Sequence, residues 1–418
     1  MTTLTNARLI DPEAGTETLG WLRIEDGKIA EIGTGAQTGT DCGGLCVAPG
    51  IVDIGVKVGE PGERHKESYR TAGLAAAAGG VTTMVVRPDT SPALDDPETL
   101  TFTLRRAAEE APVHVRAIGA LTKGCKGAEM AEMGFLQDAG AVAFSDVWAS
   151  HDAKAFLRCL TYAADLGALV IGHPQEPSLS AGAVATSSPF ATLRGLSAVS
   201  PKAEAMGLAH DLALAGMAGA RYHADTLSTE GALPVLRRAR DEGVKVTAGV
   251  SIHHLTLNEY DIGDWRTFFK FAPPLRSEDD RMAMVEALAA GEIDIISSLH
   301  SPQDEESKRL PFAEAATGAV GLETMLPAAM QLVHGGHISL PVLWRALSLN
   351  PAKLIGLGSG RLAVGAPADL VLFDPDAPFV LDRETLKSKS KNTPYDGRRM
   401  QGRVRGTWVD GVRIFGEG

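Results

Sequence analysis

Histidines and carboxylates in this chain recur at the ends of apolar runs: Asp53, Asp146, His173, His223, His253, His254 and His300. Imidazole nitrogens and carboxylate oxygens are the donors that hold a divalent ion, and such an ion makes bound water a nucleophile near neutral pH. The same residue types also serve as polar groups bonded to nearby backbone. Their position at the ends of runs does not choose between the two readings. No phosphate-cradling Gly-x-x-x-x-Gly-Lys or Gly-x-Gly-x-x-Gly segment is present, and the AAAAGGVTT stretch reads as a tight strand entry.

The elements that must carry these residues are legible from periodicity. Eight apolar runs read as strands: residues 51–58, 81–87, 113–121, 141–146, 168–173, 220–225, 245–252 and 293–300. Helix-like stretches over 97–111, 152–167 and 229–243 lie between them. Strands alternating with helices predict an α/β fold, and eight repeats match a (β/α)8 barrel of the TIM type. In that architecture reacting groups gather at the C-terminal ends of the strands, where the histidines and carboxylates above fall. The two termini read differently. Short alternating runs at 4–10, 19–33 and 43–50, with a turn at Asp26-Gly27, match in texture the runs at 360–365, 369–373 and 404–409. These predict a small β-sandwich domain built from residues 1–50 with 352–418, around a barrel spanning 51–351.

A formal net charge of -12 sets the field against nucleic acid, which attracts the opposite sign. No run of apolar residues is long enough to span a bilayer, and the first residues lack a basic flank followed by an apolar core. Cys42, Cys46, Cys125 and Cys159 form no Cys-x-x-Cys pair and read as free thiols of a reducing compartment. The expectation is a cytoplasmic protein with no membrane span.

Five segments carry a more specific signal: APGIVDIGVKVGEPGERHKE (48–67), AAAAGGVTTMVVRPDTSP (75–92), SIHHLTL (251–257), FKFAPPLRSEDDR (269–281) and KSKNTPYDGRRMQG (389–402). With them the chain resembles, over essentially its full length, the dihydroorotases of the amidohydrolase superfamily. The resemblance implies a distorted metal-bearing (β/α)8 barrel with a small β-sandwich, and closure of carbamoyl aspartate to dihydroorotate with the reverse hydrolysis. It also implies losses at the site. The family's His-x-His ligand pair falls on Gly55 and Lys57, and its substrate-gripping arginine on Gly59. A further ligand histidine falls on Thr226, and the Asp that is ligand and general base falls on Leu299, with the motif's last histidine at Gln303. Substrate-binding asparagines fall on Asp89 and Ala272. Asp146 and His173 match the bridging carboxylate and one ligand histidine, and are the residual metal candidates.

Leucine and glycine ligate nothing, and an ammonium at Lys57 repels a dication. Lys57 is expected to pair with Asp146 or Asp53 and occupy the volume of the ion; otherwise Asp146 and His173 hold one ion with help from His223 or His300. Gly59 and Asp89 together are expected to disfavour an anionic dicarboxylate. The resulting expectation is a catalytically inactive homologue with no cofactor and no catalytic residue at these positions. It would act as a structural or activating partner of the aspartate carbamoyltransferase catalytic subunit, in a homo- or hetero-oligomer. The alternatives are an active dihydroorotase or cyclic-amide hydrolase with an atypical, zinc-type metal site, and a small-molecule-binding barrel without catalysis.

Overall fold

The computed structural model describes residues 2–148 and 152–416. Eight parallel strands form the barrel: Ile51–Val56, Val81–Val86, His114–Ala120, Ala141–Ser145, Leu169–Gly172, Arg221–Ala224, Val246–Ser251 and Ile295–Ser297. They are hydrogen-bonded in chain order. The sheet curls until its ends meet: Val56 bridges to His300, and the Lys57 N–H donates to the His300 carbonyl at 2.8 Å. Every residue of the first two barrel strands is buried, as expected where helices cover one face and barrel contents the other. Ile54, Val85, Ile118, Ala143, Leu169, Ile171 and Ile295, drawn from six of the strands, form one small apolar cluster.

Parallel neighbours need crossover connections, and the helices supply them. Helix Pro97–Glu110 starts where Asp96 accepts hydrogen bonds from the Glu98 and Thr99 N–H groups, with Pro97 in the first turn. Helix Tyr69–Ala78 starts on a reciprocal capping box between Ser68 and Thr71. The predicted helices at 152–167 and 229–243 correspond to Ala153–Asp165 and Leu233–Asp241, the latter preceded by a short 3-10 turn at Glu230–Ala232.

The second sheet takes strands from both ends of the chain and forms the β-sandwich. Thr2–Asp11, Thr16–Glu25, Lys28–Gly33, Thr40–Asp41 and Cys46–Pro49 join Leu370–Val380, Arg399–Val409 and Val412–Phe415. The two Asp-Gly pairs close its hairpins, with φ of 49° and 75° at Asp26 and Gly27 and of 47° and 74° at Asp410 and Gly411. Positive φ at both central residues matches the twist of the flanking strands. The 360–365 run differs from its expected strand texture: Gly360 and Gly365 take φ of 83° and 86°, which turns the chain instead. Trp344 fastens the two layers, donating its indole N–H to the Pro49 carbonyl at 2.8 Å and stacking on Phe373 at 4.6 Å. Among the described residues no helix is long and apolar enough to cross a membrane.

Candidate functional site

The C-terminal ends of the barrel strands surround a cavity of 240 Å³. Lys57, Arg87, Asp89, His173 and Asp225 bring charge or an imidazole to it, and Ser301 and Gln303 bring neutral polar groups. Trp148, Phe271, Ala272 and Leu299 are among its apolar walls. Each polar residue sits just past a strand whose interior is apolar, which is how a barrel holds a polar mouth over a dry core.

Asp89 organises the cations. Its carboxylate accepts from Lys57 Nζ at 2.8 Å, from Arg87 Nη2 at 3.1 Å and from Arg87 Nε at 3.2 Å. Burial pushes this carboxyl up, but Arg87 and Lys57 more than offset that and hold it below the ordinary carboxylate range. The expected pairing of Lys57 with Asp146 or Asp53 is therefore corrected: Asp89, on the next strand end, takes the ammonium. The expected repulsion of anions by Asp89 is corrected with it, because two cations share this single negative charge.

Of the seven histidines and carboxylates at run ends, His173 alone lines this cavity. Burial, with Arg87 and Arg276 nearby, lowers its pKa to about 4, so its imidazole is neutral at pH 7. Asp146 turns away, accepting from the Thr122 N–H at 2.8 Å and the Thr122 hydroxyl at 2.6 Å. Asp53 accepts from the Gly55 and Ser298 N–H groups inside the barrel. His223 bonds Thr247, His253 stacks against Phe271 and Tyr395, and His254 is held between Ser251 and the Pro273 carbonyl. His300 lies with Nε2 3.8 Å from Glu67 and with Nδ1 accepting from the Gly321 N–H. Of the two residual metal candidates, His173 lines the cavity and Asp146 is bonded to Thr122.

The substituted positions fall into two groups. Lys57, Asp89, Ala272, Leu299 and Gln303 line the cavity, whereas Gly55, Gly59 and Thr226 do not. At Gly55 an added Cβ would stand 2.8 Å from Ser297 Cβ, and at Gly59 one would run into the Glu63 carbonyl oxygen. The Ser297 side chain fills the one place and the Glu63 backbone the other, so neither accepts a side chain without movement. The family's paired-imidazole ion position does not fit this mouth. Val147, Thr226 and Leu299 nonetheless hold φ of 70°, 54° and 48°. Such left-handed backbone in bulky or β-branched residues costs about 1–3 kcal/mol each and clusters at functional sites.

Arg87 and Asp225 are cavity residues that the run-end reading missed. Arg87 directly follows strand Val81–Val86, and Asp225 directly follows Arg221–Ala224. Both therefore stand at legible strand ends: Asp225 closes the predicted 220–225 run, whereas Arg87 closes the 81–87 run without being an imidazole or a carboxylate. Burial pushes the Asp225 carboxyl up, against the opposing pull of Arg87.

A second constellation stands at the opposite end of the barrel. His114 opens the third barrel strand, Asp369 precedes strand Leu370–Val380, and Asp410 lies in the following hairpin turn. The Asp369 carbonyl accepts from the Gly50 N–H, next to the start of the first barrel strand, so the group lies on the seam between barrel and sandwich. His114 Nε2 is 3.5 Å from Asp369 Oδ1 and 3.5 Å from Asp410 Oδ2, and a ligand atom from each residue lies within 4.8 Å of the others. One imidazole and two carboxylates are a donor set for a divalent cation, with Asp410 exposed so that water can complete the shell. Without an ion, the hydrogen bond to Asp369 raises the His114 pKa against the effect of burial.

This cluster overturns two expectations. The expected absence of a cofactor rested on residues of the mouth alone; His114, Asp369 and Asp410 are a candidate metal-ligand set whose members are too distant in sequence to advertise it. The expectation of a catalytically inactive partner subunit falls with it, since it rested on loss of metal ligands from that one end.

Comparison with known proteins bears on the same point. Residues 44–232 match the family described as Dihydro-orotase-like, and residues 313–415 match the Amidohydrolase family. The chain is 37% identical to a dihydroorotase of Anaplasma phagocytophilum, over 98% of this chain and 94% of that one. It is 39% identical to a dihydroorotase-like protein of Pseudomonas aeruginosa, over 97% of each. The L-hydantoinase (dihydropyrimidinase) of Arthrobacter aurescens superposes with a TM-score of 0.90 at 25% identity, over 100% of this chain and 97% of that one.

Proposed function

Because the chain belongs to the dihydroorotase family of amidohydrolases, we propose that it is a cyclic-amide hydrolase, a dihydroorotase in the simplest case, with an atypical metal arrangement. The observation that carries this is the mouth cavity, which sets a neutral His173 imidazole in one wall with Lys57 and Arg87. A ring-opening hydrolysis needs a proton acceptor for water, positive charge near the carbonyl oxygen, and a donor for the leaving nitrogen. His173 is the candidate to take the proton and return it, while the two cations face the developing negative charge. The His114, Asp369 and Asp410 set would hold a divalent ion at the seam, where its charge would tie barrel to sandwich.

Further parts of this reading are proposals with narrower support. The division into a 1–50 with 352–418 sandwich and a 51–351 barrel is supported by the membership of the two large sheets. A cytoplasmic location is supported by four free cysteines. Oligomerisation, and association with an aspartate carbamoyltransferase catalytic subunit, are supported by the full-length resemblance alone.

The test is an assay of the purified chain in both directions, carbamoyl aspartate to dihydroorotate and back, with hydantoin and dihydrouracil as further ring substrates. Each is run with chelator and with added zinc, and metal content is measured on the same sample. Turnover that His173→Asn abolishes supports the proposal. Absence of turnover on every substrate under both conditions defeats it. Co-purification with a transferase is scored separately.

A further inference from the structure

Strands Leu370–Val380 and Arg399–Val409 are antiparallel neighbours in the sandwich, joined by residues 381–398. The base of this loop is pinched: the Leu381 N–H donates to the Arg398 carbonyl at 2.9 Å and the Gly397 N–H to the Leu381 carbonyl at 2.8 Å. Beyond a short 3-10 turn at Arg383–Thr385, the loop leaves the sandwich and crosses to the mouth of the barrel. Connections longer than about 12–15 residues without helix or strand of their own are uncommon in compact domains and usually functional. Two acids of the barrel loops fasten it. Glu67 accepts from the Ser388 hydroxyl and from the Lys389 N–H at 3.1 Å, and Glu323 accepts from the Lys387 and Ser388 N–H groups at 2.7 and 2.9 Å. Tyr395 anchors the returning limb, with its hydroxyl 2.6 Å from that of Thr256 and its ring stacked on His253.

Asn392 is buried where this loop meets the mouth. Its Nδ2 donates to the Gly318 carbonyl at 3.0 Å and to the Ser301 carbonyl at 3.4 Å, and its Oδ1 accepts from the Gln303 N–H at 3.2 Å. Its own carbonyl accepts from the Val320 N–H at 3.3 Å. The whole side-chain amide is thus engaged by two arms of one barrel loop, 301–303 and 317–320, which flank helix Glu305–Lys308. Ser301, Gln303, Thr317 and Gly318 of those arms line the mouth cavity, and Asn392 stands behind them. We propose that the 381–398 loop of the sandwich completes the mouth, and that Asn392 is a positioning residue holding the two arms at the separation a bound ring requires. This rests on the mouth being the substrate site, as in the proposed function, but places a determinant of its shape outside the barrel. Aspartate matches asparagine in shape and fails in chemistry, because its second oxygen would face the Ser301 and Gly318 carbonyls, acceptor against acceptor.

The experiment compares the full wild-type chain with Asn392→Ala, Asn392→Asp and, as a control elsewhere in the same loop, Thr385→Ala. Amide hydrogen exchange is followed by mass spectrometry and ring opening by the assay above. Both Asn392 variants should speed exchange about tenfold at Ser301 and Gly318. These N–H groups donate to the Ala319 and Lys270 carbonyls and not to Asn392, so their response reports movement of the arms. Exchange in barrel strand Val81–Val86 should stay within about twofold of wild type. KM for the ring should rise about tenfold with kcat within about threefold, the pattern of lost uniform binding. Thr385→Ala should alter neither readout. Circular dichroism shows that each variant is folded, and Asn392→Asp, with the parent's volume, carries the test if Asn392→Ala does not fold. Wild-type exchange at Ser301 and Gly318, equal acceleration in Val81–Val86, or a fall in kcat with KM unchanged overturns the inference. A wild type without turnover defeats the hydrolase reading alone, and the exchange comparison then decides this one.

Discussion

At Lys57 a single side chain shows how far residue type can be pushed from sequence. That an ammonium at this place excludes a cation beside it follows from charge alone. Its partner did not follow, because Asp53, Asp89 and Asp146 all lie in or just past barrel strands and only the three-dimensional register selects Asp89. The His114 cluster was illegible for a related reason: its members are separated by 255 and 41 residues and meet only when the two sheets pack. Metal content tests it directly. His114→Ala in the full chain should remove any tightly held divalent ion measured by mass spectrometry, whereas His173→Ala should not. Gly55 supports an opposite kind of prediction. Gly55→His should destabilise the chain by about 1–3 kcal/mol in urea unfolding, because its Cβ meets Ser297, and should add no zinc at the mouth.

Elements were the most readable scale. All eight barrel strands lie within the predicted runs, since β-branched and apolar stretches bounded by glycine and proline leave few alternatives. Helix 97–110 was equally plain, with an aspartate and a proline at its start. Asp96→Ala should cost about 1 kcal/mol by leaving the Glu98 and Thr99 N–H groups without that acceptor, seen as a lower urea midpoint. The 360–365 run misled because its apolar residues alternate as a strand's do, while two glycines in left-handed conformation set its path. Trp344→Ala should cost about 3–5 kcal/mol, since it removes a buried ring and its bond across the seam. The same unfolding experiment checks it.

For the whole molecule, fold class was legible because strand–helix alternation and terminal β texture are global patterns that tolerate local error. Acid response also belongs to this scale. Burial lowers the pKa of His223 and His253 to about 3 and of His173 and His254 to about 4. Between those values and about 6.5, the unfolded chain binds protons at these four sites that the folded chain refuses. Stability therefore rises with pH across that window and falls as the solution is acidified through it. Asp53, Asp146 and Asp225, pushed up by burial, act in the opposite sense. The urea midpoint should drop between pH 7.5 and pH 5.5, and His253→Phe should flatten that drop; a midpoint that rises on acidification would refute the assignment.

The crowding at Gly55 and Gly59 also limits which substitutions this chain can accept one at a time. Restoring the family's histidine and arginine there would place each new side chain against Ser297 or Glu63 before any ion or substrate could reward it. Either substitution thus carries a steric cost that movement of Ser297 or of the Glu63 backbone would have to relieve. The two glycines act as a latch, so placing the family's side chains there takes a paired change, one at the glycine and one at the neighbour that crowds it.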